Sequence, residues 1–181
     1  MAKAADNKVK GNITVEGARI GFKNFSGKES KYNRAGDRNF CLFLDDELAA
    51  RLAGDGWNVK HLTPRDDEEE PQAYIQVKVK FGNILPPVIY LVKGEDKKSM
   101  TKLGEDEVNI LDWAEISNVD LIVRPYNWKI SNKEGVKTGV TAYLKTMYVT
   151  IVEDKLAAKY RDVPTSAQSA MIGLEEEEYE E

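Results

Sequence analysis

Alternating apolar and polar positions run through most of this chain and predict extended strands. The clearest alternation covers residues 73–81, with apolar side chains at odd positions and Tyr74, Gln76, Lys78 and Lys80 at even ones. Residues 38–44, 57–62, 88–92, 119–130 and 136–152 alternate similarly, and we expect 88–92 to form a hairpin with 73–81. Residues 13–25 and 136–152 change parity once each, at Gly17 and between Leu144 and Met147. Such changes predict β-bulges.

Helical patterns are short and lie between these strands. Asp45 or Asp46 can cap a helix over residues 47–53 that Gly54 ends, and further short helices are predicted at 105–113 and 154–160. Residues 26–37, 63–71 and 94–103 are predicted loops, and 131–135 a turn. About seven strands without regular strand–helix alternation predict a mainly β fold: an OB-like antiparallel β-barrel with short inserted helices. A β-sandwich would give much the same pattern and stays an alternative.

The carboxyl end of the chain is a run of acidic residues. Six of the last seven residues are glutamates, and without them the formal charge changes from −5 to about +1. A run of like charges stays solvated, so a disordered acidic tail is predicted. The run consists of Glu175, Glu176, Glu177, Glu178, Tyr179, Glu180 and Glu181. We therefore divide the chain into a flexible N-terminus (1–10), an OB-like domain (11–161) and a linker with the acidic tail (162–181).

Composition narrows the classes of protein to consider. Residues 1–44 hold nine lysines and arginines against four acidic residues, so one part of an acidic chain is basic. No apolar stretch reaches membrane-spanning length, and the first residues lack a signal-peptide pattern. Cys41 is the only cysteine, which excludes an intrachain disulfide. These features predict a cytoplasmic protein without a membrane partner.

The residues that most catalytic sites need are scarce. His61 and Cys41 are single residues of their types, which disfavours the usual zinc ligand sets. The sequence contains no glycine-rich phosphate loop, nucleophile elbow or HExxH helix. We therefore predict no enzymatic activity, no metal and no cofactor.

Aromatic residues interleaved with cations on extended segments are the strongest candidates for a binding site. Cations can follow phosphates while rings stack on bases, which is what single-stranded nucleic acid requires. Trp57 and Trp113 are instead expected in the core. The candidate DNA-binding residues are Arg19, Lys23, Lys28, Lys31, Tyr32, Arg34, Arg38, Tyr74, Lys78, Lys80, Arg124, Tyr126, Trp128, Tyr143 and Lys145.

The chain also resembles a known family, the phage-type single-stranded DNA-binding proteins. The resemblance rests on GARIGFKNFSG (17–27), GWNVKHLTPR (56–65), AYIQVKVKF (73–81), NVDLIVRPYNW (118–128), VTAYLKTMYVTI (140–151) and the acidic tail. It implies an OB-fold body that coats single-stranded DNA without catalysis during phage replication, recombination and repair in a bacterial host cell. The bacterial form of such tails is aspartate-rich and closed by Pro-Phe, whereas this tail is glutamate-rich and contains Tyr179.

The tail has two expected roles. A tethered polyanion has a high effective concentration at a basic groove, so it can compete with nucleic acid there. Once displaced, it can recruit replication or recombination proteins. Alternatives remain open: an adaptor or DNA-mimicking inhibitor that acts through acidic segments 66–70 and 175–181, a metal-dependent nuclease, RNA as the ligand, and a homo-oligomer.

Overall fold

The computed structural model describes residues 9–31, 33–63, 70–93 and 99–152, and most of them lie in β-strands. One α-helix, α1 (Asp46–Asp55), and a 3₁₀ helix (Val108–Asp112) interrupt the strands. The predicted mainly β fold is confirmed. The strands are β1 (Ile13–Val15), β2 (Arg19–Asn24), β3 (Arg38–Leu44), β4 (Lys60–Leu62), β5 (Gln72–Val79), β6 (Val88–Lys93), β7 (Ser99–Leu103), β8 (Ile116–Asn132) and β9 (Gly135–Ile151).

The sheet curls because its two ends belong to one extended segment. The strand order is β1-β8-β9-β5-β3-β2, and β1 and β2 are separated by only three residues. Gly17 between them has a φ of +61°, and the Ala18 amide donates to the Val119 carbonyl at 2.7 Å. The predicted bulge at Gly17 is therefore wrong: the chain changes its partner there from β8 to β3. β1 and β2 thus form one segment that pairs with β8 at one end of the sheet and with β3 at the other. This arrangement gives the partly open barrel of an OB-like fold.

Two of the strand pairs are parallel, which the antiparallel barrel predicted from the sequence did not include. β5 pairs in parallel with β9 at Val77–Ala142 and Lys78–Tyr143, and β6 pairs in parallel with β9 over residues 88–92 and 146–150. The predicted hairpin between 73–81 and 88–92 is wrong, because β6 pairs with β9 and β7 instead. The predicted loop 94–103 likewise contains β7. Alternation identifies a strand but does not identify its neighbour.

The core fills the inside of the curled sheet with the side chains of one parity. Phe40, Leu42 and Leu44 of β3 are buried, as are Ile75 and Val77 of β5. Each buried side chain of this size contributes about 1.5–3 kcal/mol of transfer free energy. The side chains between them therefore point outward, and on β3, β5, β8 and β9 these define the surface that concerns function.

Hydrogen bonds to nearby residues determine where α1 begins and ends. The Asp45 carboxylate caps the helix by accepting the Leu48 amide hydrogen at 2.7 Å, as predicted. The helix ends at Gly56, whose φ of 103° is left-handed, and not at the predicted Gly54. At Gly56 the backbone amides of Gly56 and Trp57 return to carbonyls of the last turn, a closure that favours glycine.

The 3₁₀ helix corrects the prediction that Trp113 is a core residue. Val108 and Leu111 are buried, whereas Ile110 and Trp113 are 40% and 73% exposed. A 3₁₀ helix repeats every three residues, so positions 108 and 111 face inward together while 110 and 113 face outward. Trp57, the other tryptophan predicted for the core, is buried.

β9 contains the predicted bulge, which lies at Lys145. Ile122 pairs with Thr146 and Val123 with Leu144, so Lys145 has no partner on β8. Beyond the barrel, β8 and β9 continue as an exposed arm over residues 129–138 that turns at 133–134. The arm keeps antiparallel pairing to its tip, from Trp128–Gly139 to Asn132–Gly135.

Several predicted segments lie outside the described residues. They include the helix at 154–160, the linker, the acidic tail, and most of the acidic loop and of the N-terminus. Within the latter, Val9 is described: it is buried, and its backbone N–H and C=O both bond to the Asn127 side chain at 2.8 Å. The described residues up to Ile151 belong to one compact unit. In the described ranges, no helix has the length and apolar character to cross a membrane.

Candidate nucleic-acid interface

A row of polar and aromatic side chains crosses the outer face of the sheet in strand register. Asn39 of β3 pairs with Lys78 of β5, Lys78 with Tyr143 of β9, and Tyr143 with Arg124 of β8. Residues paired in this way project from the same face. Four strands therefore bring an amide, an ammonium, a phenol ring and a guanidinium together on the outer face.

Tyr143 is held in this row by two neighbours on β8. The Arg124 guanidinium carbon lies 5.2 Å from the Tyr143 ring centroid, and the Tyr126 ring meets it edge-to-face at 5.9 Å. Both are favourable arrangements for an aromatic ring. The Arg124 Nε is buried without a hydrogen-bond partner among the described residues. We infer that Arg124 mainly supports Tyr143, which stays half-buried with part of its ring open to solvent.

A cleft forms where β9 separates from β5. The two strands pair only at residues 77–78 and 142–143, and beside residues 72–74 of β5 the neighbouring strand is β4. Lys60 of β4, Gln76 of β5 and Trp128 of β8 line this cleft, together with the buried Trp57. The Trp128 ring lies directly on Gly139, where a Cβ atom would overlap it.

A second depression continues the cleft toward the start of β3. Arg34, Asn39, Lys80 and Tyr143 are among its lining residues, and it shares Gln76 and Lys78 with the cleft. We call the continuous surface the β5 groove. It has Gln76 and Lys78 on the floor, and Lys60, Trp128, Tyr143, Arg34, Asn39 and Lys80 around it.

The loop at residues 25–37 is fixed beside the β5 groove by hydrogen bonds. The Asp112 carboxylate accepts from the amides of Phe25 and Ser26 at 2.7 and 3.0 Å. The Asn33 side chain donates to carbonyls within the loop and accepts from the Asn39 side chain at 2.8 Å. This scaffold places exposed Arg34 at the groove. Tyr32, also predicted to bind, lies outside the described residues, and Lys28 and Lys31 are exposed on the loop away from the groove lining.

Two phenylalanines next to the groove were missed by the sequence reasoning. Phe43 lies on the outer face of β3, opposite Tyr74 of β5. Phe22, which alternation placed opposite Arg19 and Lys23, is 67% exposed and meets Phe43 edge-to-face at 6.3 Å. Its φ of +48° and the irregular pairing between Gly21 and Asn24 turn it outward. The parity of 38–44 would have revealed Phe43, whereas the break in β2 has no signal in the sequence.

Arg38 has a different environment from the other predicted cations. Its guanidinium bonds to the Glu105 carboxylate at 3.0 Å and lies 5.7 Å from the Phe81 ring centroid. Only 18% of its side chain is exposed. Although Arg38 lines the groove, these contacts occupy its charge, so its main role is to hold β3 against neighbouring elements.

Other predicted residues lie away from the groove. The Lys23 Nζ donates to the Leu111 carbonyl at 2.9 Å, and Lys23 and Arg19 line a separate depression near Asn118. Lys145 is exposed on the β9 bulge. The residues brought together around the groove are therefore Arg34, Lys78, Lys80, Trp128 and Tyr143, with Tyr74, Arg124 and Tyr126 beside them on the outer face.

Cys41 lies on the outer face of β3, between Asn39 and Phe43, and pairs with Gln76. Burial raises the pKa of its thiol, and the positive charge of Lys60 partly opposes this rise. A thiol of raised pKa is a weak nucleophile at neutral pH. Among the described residues, no three His, Cys, Asp or Glu side chains converge on a site for a metal ion.

Comparison with known proteins gives several likenesses. The single-stranded DNA-binding protein of bacteriophage Enc34 matches over 80% of this chain and 88% of its own, at 13% identity and a TM-score of 0.48 in its complex with ssDNA. Its C-terminally truncated form gives 14% identity, the same coverage and a TM-score of 0.47. An uncharacterized protein, L82, of Acanthamoeba polyphaga mimivirus is 31% identical over 77 residues, which is 42% of this chain and 40% of L82.

One match spans nearly the whole chain. A family model described as "Putative phage ssDNA-binding domain" matches residues 3–181 and therefore includes every strand described above. The resemblance predicted from the sequence is confirmed by this match. This chain belongs to the phage ssDNA-binding domain family.

Proposed function

We propose that this protein binds single-stranded DNA non-catalytically along the β5 groove. The observation that carries the proposal is the register row of Lys78, Tyr143 and Arg124, which joins cation and ring on one outward face. Membership of the family supports the class of ligand. OB folds also bind oligonucleotides on the face of their second and third strands, which correspond here to β3 and β5.

Each side of the groove makes a different contribution. Lys60, Lys78 and Lys80 are exposed and can follow the phosphates, while Tyr143 and Trp128 offer ring faces to bases. Stacking contributes about 1–3 kcal/mol per base and depends little on base identity. The protein therefore binds with weak sequence preference, because its rings contact a feature that every base has.

Single strands fit this arrangement better than duplex. In a duplex the base faces are stacked on each other and the phosphates follow a fixed helix. The rings of Trp128 and Tyr143 can be used only by bases that are unstacked. Nothing in ring stacking distinguishes DNA from RNA, so competition with an RNA of the same sequence measures that preference.

The biological role that we propose is the coating and protection of single strands in phage DNA replication, recombination and repair, in the cytoplasm of a bacterial host. The acidic tail, residues 175–181, competes with DNA for the groove and recruits replication or recombination proteins when displaced. Charge supports the competition: the tail carries six glutamates, and the cations that line the groove, among them Arg34, Lys78 and Lys80, outnumber the single acid Asp37.

Fluorescence anisotropy tests the proposed binding. A labelled single strand of about thirty nucleotides is titrated with the full chain at two salt concentrations, with the duplex of the same sequence as control. We expect preference for the single strand and an affinity that falls with salt, with a slope near −0.7 per phosphate contacted. Equal binding of duplex and single strand, or no binding at low salt, would contradict the proposal.

A further inference from the structure

A second aromatic patch lies on the outer face, away from the β5 groove. Tyr90 of β6 and Tyr148 of β9 are direct partners on parallel strands, and their rings stack with centroids 5.1 Å apart and an interplanar angle of 15°. Tyr148 is 39% exposed. Exposed Lys102 of β7 pairs with Tyr90 on the other side. We call Tyr90, Tyr148 and Lys102 the tyrosine patch.

The tyrosine patch and the groove occupy the same face of β9. Tyr143 projects outward and Leu144 inward; then, after the unpaired Lys145, Met147 projects inward and Tyr148 outward. On β8, Tyr143 pairs with Arg124 and Tyr148 pairs with Asp120. Arg124 and Asp120 are four residues apart and therefore share a face. The bulge thus keeps both tyrosines on one side, although five positions separate them.

A few nucleotides can span the distance between Tyr143 in the groove and Tyr148 in the tyrosine patch. Five residues of strand, one of them absorbed by the bulge, span about 13–16 Å at roughly 3.3 Å per residue. Stacked nucleotides advance about 3.4 Å each, so about four of them bridge this distance, and fewer do so when extended.

The side chains between the β5 groove and the tyrosine patch include cations that can contact a phosphate backbone. Lys145 is exposed on the bulge, between Tyr143 and Tyr148, and Lys102 follows at the far side of the tyrosine patch. Asp120 is the acidic residue of this register row, and its carboxylate accepts the Gly17 amide hydrogen at 2.9 Å. That hydrogen bond engages one carboxylate oxygen of Asp120 with the backbone, while Lys145 and Lys102 supply two positive charges along the same path.

We propose that a strand bound in the β5 groove continues along β9, passes Lys145 and stacks a base on the tyrosine patch. This inference rests on the proposed function and extends it, because it gives a binding site longer than the groove. It also assigns a role to Lys145, which the groove does not use. Longer oligonucleotides then gain affinity from the tyrosine patch, whereas oligonucleotides that fill only the groove do not.

The test compares two lengths of single-stranded DNA, about six and about fifteen nucleotides, on the full chain and on Tyr148→Ala. We expect unchanged affinity for the short strand and a loss of about five-fold or more for the long one. Tyr148→Phe keeps the ring and is expected to retain full affinity for both. Trp113→Ala, which removes an exposed ring that belongs neither to the groove lining nor to the tyrosine patch, is the matched control and should change neither.

Lys102→Gln gives an independent reading if Tyr148→Ala is poorly folded, since Lys102 is exposed and its substitution leaves the core intact. It should weaken the long strand selectively and make its affinity less sensitive to salt. Equal losses for both lengths, or none for the long strand, would overturn the inference while leaving groove binding intact. If the unaltered protein fails to bind the short strand, the proposed function fails, and this inference fails with it.

Discussion

Tyr143 lies at the centre of the β5 groove, and its surroundings explain how one ring can be both held and available. Arg124 and Tyr126 contact it from β8, while Lys78 lies next to it on β5. A ring fixed in this way loses little conformational freedom when a base stacks on it. Lys78 lies beside this ring, so its positive charge can contact the phosphate of a nucleotide whose base stacks on Tyr143.

Replacing Tyr143 tests the stacking contribution directly. Tyr143→Ala is expected to weaken binding of single-stranded DNA by about 1–3 kcal/mol, because one base loses its platform. The half-buried ring lies on the outer face and outside the core cluster, so thermal unfolding should change only slightly. Anisotropy titrations measure the affinity, and Tyr143→Phe, which keeps the ring, should bind almost as the unaltered protein does; similar losses in both variants would contradict stacking.

Lys78 and Arg38 form a matched pair, since both are predicted cations that line the groove. Lys78→Gln should reduce affinity and lower the salt slope by about 0.7 through loss of one phosphate contact, without loss of stability. Arg38→Gln should instead reduce the free energy of unfolding by about 1 kcal/mol, because the Glu105 ion pair and the contact with Phe81 are removed. Salt-dependent titrations and urea unfolding distinguish the two; a reversed pattern would show that the assignments are exchanged.

Among the residues of the groove, alternation could identify those on regular strands and no others. Lys78 and Tyr143 have apolar neighbours on both sides, and Trp128 shares the parity of Arg124 and Tyr126, so their outward projection is readable in the sequence. Lys60 was missed although a strand was predicted over 57–62, because alternation does not show that β4 lies beside β5. Phe22 was misplaced because its backbone leaves the regular strand conformation, and that change depends on packing.

At the scale of elements, the groove exists because β9 is longer than its contact with β5. The strand separates from β5 after two paired residues and continues with β8 into the exposed arm, leaving the cleft beside β4. Gly139, at the base of this arm, gives Trp128 its position, because the indole ring occupies the space of an absent side chain. The cleft therefore depends on an accurate β8–β9 pairing and on a small residue at one place.

Gly139→Ala tests whether the arm positions the tryptophan. The new methyl group would overlap the Trp128 ring, so the ring must move away from the groove wall. We expect weaker binding of single-stranded DNA, up to the 1–3 kcal/mol of one stacked base, and a shift in tryptophan emission. Gly54→Ala, at a position with free space around it, is the control; unchanged binding and emission in Gly139→Ala would exclude this positioning role.

Strand identity was more predictable than strand pairing. The alternation in 73–81 located β5 to within two residues, and the parity change after Leu144 located the bulge in β9. The partner of β6 was not predictable, because the pairing is decided by which strand has an open edge in three dimensions. β9 offers that edge beyond the end of β5, far away in sequence.

At the scale of the whole molecule, the sequence divides charge unevenly between body and tail. The chain carries −5 in total, and six glutamates in the last seven residues account for the acidic excess. An anionic protein can therefore present a cationic groove, because local charge and net charge are separate quantities. This uneven distribution is visible in the sequence alone, whereas the continuity of the groove needs the register of four strands.

Truncation after Gly173 tests the competition that this charge distribution predicts. Removing residues 174–181 should tighten binding of single-stranded DNA at low salt, because a tethered competitor is lost. The difference should shrink as salt increases, since screening weakens the contact of tail with groove. Replacing the glutamates by glutamines at full length controls for length; affinity and salt slope that are unchanged in both variants would contradict competition.

Ultraviolet crosslinking followed by peptide mapping shows directly whether single-stranded DNA lies in the β5 groove. A thymine oligonucleotide of about thirty nucleotides is crosslinked to the full chain at low salt, and the modified residues are identified. We expect modification at Tyr143 and Trp128 and none at Trp113, which is 73% exposed but is not among the residues that line the groove. Crosslinks confined to Trp113 or to the depression beside Arg19 and Lys23 would contradict it.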